Sequence, residues 1–137
     1  MPRRTMLLSP RYAVPALARE HGLGCAAAFA QQGVERQILL RHDLDVPGHE
    51  AVLAQVSIAP GGREGRHTHP GSGVAHVLSG TLTVEMDGEP VRTLAAGDSL
   101  FIDAGRVHEG INNGSEPVKL LATFIVEKGK SLSAAAP

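Results

Sequence analysis

HTHPGSGVAHVLSG, residues 67–80, sets His67 and His69 one residue apart, follows them with a Gly-rich bend, and contains no carboxylate. On extended backbone, residues i and i+2 project to the same face, so both imidazoles reach toward one point. Two neutral imidazoles hold a metal ion weakly, and a third ligand has to come from elsewhere in the chain. His108 is the candidate, 39 residues beyond His69, which a folded-over sheet spans with one or two hairpins. Standing alone, a His-x-His pair reads more readily as loop histidines solvating a turn. The flanking sequence has to decide between the two.

Outward from that stretch the texture is short alternating runs broken by Gly and Pro. VERQILLRHDL places Val34, Ile38, Leu40 and Leu44 on one parity, and AVLAQVSIAP does the same with Val52, Ala54, Val56 and Ile58. A period of two marks a half-buried strand. Further strands are predicted over residues 74–78, 81–86, 91–94, 99–102, 107–111 and 118–126. Asp87-Gly88 is a hairpin signal, because a tight turn needs positive φ at its centre. Asn113-Gly114, ahead of Pro117, marks another turn. About eight strands on short turns, with no helical pattern between them, describe an all-β chain folded as a closed or double-sheet antiparallel structure. The expected organisation is an N-terminal segment over residues 1–32, a β-barrel over 33–128 and a flexible tail over 129–137.

The chain has 137 residues, enough for one domain with a single modest core. With 42% hydrophobic and 20% charged residues it falls in the ordinary globular class. A net charge of −1 gives no electrostatic reason to expect nucleic acid or an anionic membrane as partner. Aromatic content of 3%, without Trp, argues against a base-stacking platform. Cys25 stands alone, which excludes an intramolecular disulfide framework and a multi-Cys zinc site. No apolar run reaches the ~18 residues that a membrane-spanning helix needs. Arg3, Arg4 and the exit Ala28-Phe29-Ala30 look like a secretory signal, whereas Arg11, Arg19, Glu20 and His21 interrupt its apolar middle. Two readings stay open: a degenerate signal with a periplasmic product, or a covering arm, helical around residues 15–21, on a cytoplasmic one.

Two longer stretches settle the histidine question. GGREGRHTH, opening at Gly61 and closed by Gly80, and GDSLFIDAGRVHEGIN, from Gly97 to Asn112, resemble the two motifs of the cupin superfamily in order and internal spacing. The resemblance covers roughly residues 50–127, and ATFIVEKGKSL looks like the end of small single-domain bacterial cupins. It implies a double-stranded β-helix, or jelly-roll barrel, with a divalent transition metal on His67, His69 and His108. It also implies a small-molecule ligand or substrate and a homodimer that covers exposed sheet edges. Two positions depart from the family pattern. The first motif usually carries a metal-binding glutamate where this chain has Gly73, and the second usually carries proline where it has Asp103, a residue that also stabilises tight bends.

Losing the glutamate removes one anionic ligand and leaves three imidazoles with positions open to water or substrate, the usual form of a catalytic site. Imidazole suits Fe, Zn, Ni or Cu better than Mg or Ca. An ion held only by neutral ligands keeps a net 2+ charge and favours anionic or chelating oxygen ligands. Cupin dioxygenases with three histidines exist, so the resemblance permits an oxygenase, or an isomerase or lyase, on a small oxygenated molecule. The alternative is a binding or sensing cupin with a weak or empty site, since no residue stands out as a general base. His76 is a tempting substitute ligand, but Gly73, Ala75 and Val77 share the other face of its strand. By the same parity Glu109 faces away from His108. Gln55, Phe101 and Phe124 are candidates to line the cavity. His42 falls on the apolar parity of its strand and reads as a packed or edge histidine, His49 sits in a turn after Pro47-Gly48, and Cys25 reads as a small apolar residue.

Overall fold

The computed structural model describes residues 32–137, so the expectations for residues 1–31, the signal or covering arm with His21 and Cys25, lie outside the described residues. Ten strands follow in chain order: β1 (Gln32–Asp43), β2 (His49–Arg63), β3 (His67–Thr68), β4 (Ser72–Ser79), β5 (Thr81–Met86), β6 (Arg92–Ala95), β7 (Ser99–Ile102), β8 (His108–Ile111), β9 (Val118–Glu127) and β10 (Ala134–Ala135). No helix occurs among the described residues. All pairings are antiparallel. One run of neighbours is β1-β2-β9-β4-β7 and the other β6-β5-β8-β3-β10, joined where Arg63 of β2 meets Ile111 of β8. This is the double-sheet barrel that the alternating sequence calls for.

The alternation fills the space between the two runs. Val52, Val56 and Ile58 of β2, Val77 of β4 and Leu120 and Phe124 of β9 meet Leu82, Val84 and Met86 of β5 in one buried cluster. Each is every second residue of its strand, so the intervening positions face out. Gly88 takes φ +84° in the turn after β5, as its hairpin role demands. Asn112, fully buried, staples the next loop: its Nδ2 donates to the carbonyls of Ile58 and Glu116, and its Oδ1 accepts from Gly114 N.

β1 departs from its expected half-burial. Its partners run Ile38↔Ala54 and then Leu40↔Leu53, so one extra residue, Leu39, sits in β1 against no advance in β2. A bulge of one residue moves the following side chains to the opposite face. Val34, Arg36 and Ile38 therefore stand opposite the inward residues Ile58, Val56 and Ala54, while Leu40 turns outward and is 54% exposed. Within residues 129–137, Ala134 and Ala135 of β10 pair with Thr68 and His67, and Ala136 N donates to Arg66 O.

Candidate metal centre

His67, His69 and His108 meet inside the barrel. Gly61 and Gly65, both at φ +77°, turn the chain from the end of β2 into β3, which pairs His67 directly with His108 of β8. Gly105 N donates to His69 O at 2.9 Å and ties the two motifs together. The turn that holds Gly105 is closed by Arg106 N donating to Asp103 O, so Asp103 opens a hydrogen-bonded bend. The three histidines are 3–6% exposed, and their ring centroids lie 4.3–5.0 Å apart. One ring nitrogen from each lies within 4.8 Å of the others.

The hydrogen bonds say which nitrogen that is. His67 Nδ1 lies 2.7 Å from Gly65 O, His69 Nδ1 2.8 Å from Leu132 O, and His108 Nδ1 2.9 Å from Arg106 O. A carbonyl oxygen can only accept, so each Nδ1 carries the proton and each Nε2 presents a lone pair. Burial pushes the His69 pKa down to about 4 and that of His108 below its ordinary value, so both rings are neutral at pH 7. Three imidazoles, each with its Nδ1 held by a backbone carbonyl, form a donor set suited to a divalent transition ion.

The rest of the cavity is mostly apolar. Its volume is about 60 Å³, several times the roughly 15 Å³ that one water needs. Ile38, Ala54, Leu82, Leu100 and Phe124 are among its walls. Among the described residues, two charged side chains enter it. Arg36 arrives from β1, and Glu64 from the turn between β2 and β3, with Arg36 Nη2 donating to Glu64 Oε2 at 2.7 Å. Glu64 Oε2 stands 3.9 Å from His67 Nε2. Both charges reach His108, where Glu64 works to raise the pKa and Arg36 to lower it.

Glu64 escaped the sequence reading. It sits outside any alternating run, in a Gly-flanked turn where parity gives no direction. Its one legible signal was position, three residues ahead of His67 within the first motif. Gly73 is now explained by its neighbours. A Cβ there would stand 2.7 Å from the Phe124 ring, which lies directly across from Gly73 on β9 and 4.3 Å from the His69 ring. Phe124 thus fills the volume in which a side chain at residue 73 would lie.

Other expectations divide. His76 points outward and shares a 2.8 Å hydrogen bond with Ser99 Oγ. Glu109 faces away from the triad as parity requires, yet it is 2% exposed, held bidentately by Arg63 at 2.6 and 2.8 Å and by Gly65 N at 3.1 Å. Arg63 keeps its carboxyl below the usual range. Gln55 does not line the cavity, because its neighbours Ala54 and Val56 point inward. Phe101 does not line it either and is 55% exposed, whereas Phe124 does line it. His42 lies exposed on the edge strand with Nδ1 2.6 Å from Asp43 O, and His49 Nδ1 is 3.1 Å from Pro47 O at the turn.

The family model described as Cupin domain matches residues 54–130. Among curated proteins, the chain is similar to Germin-like protein 5-1 of Oryza sativa subsp. japonica, with 36% identity over 116 residues. That alignment covers 75% of this chain and 50% of the rice protein, so the chain spans about half of that relative's length. Among solved structures, it is similar to an uncharacterised conserved protein with a double-stranded β-helix domain from Klebsiella pneumoniae subsp. pneumoniae MGH 78578. The TM-score is 0.63 at 22% identity, over 81% of this chain and 94% of that one. A recombinant oxalate oxidase in complex with glycolate gives a TM-score of 0.60 at 22% identity, over 75% and 55%. At such identities the likeness is one of fold.

Proposed function

The chain belongs to the Cupin domain family, and on that premise we propose that it holds one divalent transition ion, Fe, Zn, Ni or Cu, on His67, His69 and His108 and acts on a small oxygenated molecule. The observation that carries this reading is the common tautomer: all three Nδ1 atoms are tied to backbone carbonyls, which leaves three Nε2 lone pairs converging. Histidines that merely packed a core would have no reason to share one tautomer and one focus. When bound, such an ion supplies Lewis-acid polarisation of an oxygen ligand, or O₂ chemistry if it is iron. The chain's own residues do the rest. Leu82, Leu100 and Phe124 exclude water from the ligand's apolar part, and the small cavity limits it to a few non-hydrogen atoms.

Oxygenase, isomerase or lyase chemistry on that molecule is the activity class this arrangement supports best. The glycolate complex of the similarly folded oxalate oxidase fits the same preference for small oxygen-rich ligands. A non-catalytic binding or sensing role is the second reading, favoured by the engagement of the cavity's carboxylate, Glu64, with Arg36. A homodimer formed along β1 belongs to the same proposal.

The test is metal quantification on untagged protein equilibrated with each candidate ion and then desalted. About one ion per chain is expected for the wild type and nearly none for His67→Ala, with the same circular dichroism. Equal metal content in the two proteins, or none in either, would overturn the assignment.

A further inference from the structure

We infer that Glu64 supplies the centre with the anionic ligand that Gly73 does not, and that Arg36 competes with the ion for it. This rests on the three-histidine reading above. Among the described residues, Glu64 is the one carboxylate that lines the cavity, and its Oε2 is 3.9 Å from Nε2 of His67, the nitrogen left free for the ion. The return of a ligand at residue 73 is blocked by the Phe124 ring, so any carboxylate has to enter from another direction.

The surroundings are built to admit this one. Glu64 N donates to Gly110 O at 2.9 Å, which fixes the backbone under the side chain. Gly110 in turn has no side chain to obstruct it: a Cβ there would collide with Glu64 Oε1. The Glu64 side chain is only 12% exposed, and a carboxylate so placed requires a counter-charge. Arg36 provides one at 2.7 Å, from a residue whose inward direction is set by its register opposite Val56. A divalent ion at the focus of the three Nε2 atoms offers a second and stronger one. The terminal torsion of a glutamate is broad, so turning one oxygen toward the ion needs no backbone movement. With Glu64 bound, the net charge of the centre falls from 2+ to 1+. The chain then meets the usual donor chemistry of its family with a carboxylate from a different place in the sequence.

The experiment uses Co²⁺ alone as probe, titrated into untagged full-length protein, with visible absorption reporting coordination and a competing chelator reporting affinity. Glu64→Gln and Glu64→Asp are each expected to weaken binding about tenfold or more and to alter the visible bands, since even outer-shell changes cost about 10- to 100-fold. Glu64→Asp keeps the charge but falls one methylene short of the ion. Arg36→Met is expected to tighten binding, and the gain should vanish in the Arg36→Met/Glu64→Gln double variant. If Glu64→Asp keeps the wild-type affinity and spectrum, the carboxylate acts only through space and the inference is overturned. Unchanged binding in Glu64→Gln overturns it too, while loss of binding in His67→Ala would leave the three-histidine reading standing. Wild-type protein that takes up no Co²⁺ would overturn both.

Discussion

At residue 73 the absence of a side chain shapes the whole centre. Gly73 has ordinary extended backbone, so it is glycine for reasons of space rather than of torsion angle. Phe124 lies across it from β9 and stacks on toward His69, in the way aromatic rings often cover a glycine on a neighbouring strand. A methyl group at residue 73 would meet two ring carbons at 2.7 and 2.8 Å. Gly73→Ala should therefore lower stability by about 1–3 kcal/mol, the usual cost of overpacking a filled core. Urea denaturation checks it, and Phe124→Leu in the same chain should recover most of the loss. A neutral Gly73→Ala would mean that the ring is free to move aside. By the same reasoning, Gly73→Glu does not restore a ligand, because its side chain must first displace Phe124.

At the scale of elements, β10 and the residues before it do more than end the chain. His69 Nδ1 donates to Leu132 O, 63 residues away, so the tautomer of one ligand depends on the C-terminal segment. Removing residues 131–137 should leave a folded barrel, since only Leu132 of that segment packs against the buried cluster. Metal affinity should fall about 10- to 100-fold, because the ligand loses its orienting acceptor. Leu132→Ala keeps the carbonyl and should lose far less; isothermal titration with Zn²⁺ separates the two. Equal affinity in the truncated and intact proteins would show that His69 needs no anchor. This dependence could not be read from Ser131-Leu132-Ser133, because a backbone acceptor leaves no mark on the side chains that carry it. The legible part was periodicity. Val52, Ala54, Val56 and Ile58 are buried as their parity requires, and His67, His69 and His108 converge as their motifs imply. Parity failed where a bulge broke it, at Leu39, and where no strand existed to define it, at Glu64.

For the whole molecule, the feature that matters is the edge of β1 away from β2. Among the described residues this strand pairs only with β2, and it runs for 12 residues, about twice the common strand length. Its centre offers Ile38, Leu39 and Leu40, which are 43%, 44% and 54% exposed. Long apolar edges invite another strand, and proteins that stay monomeric usually blunt them with charge or proline. A second copy meeting β1 about a two-fold axis would cover the same three residues on both chains. Light scattering is accordingly expected to give twice the chain mass for the wild type and a single chain mass for Leu40→Glu, with unchanged circular dichroism. A monomeric wild type would sink the dimer. The consequence reaches the cavity, because Arg36 stands on this strand two residues before Ile38 and holds Glu64. Fixing β1 against a partner restrains the guanidinium that competes for the carboxylate, so Leu40→Glu should also change Co²⁺ affinity. That shift should disappear when Arg36 is replaced by Met, which ties the assembly to the metal centre through one side chain.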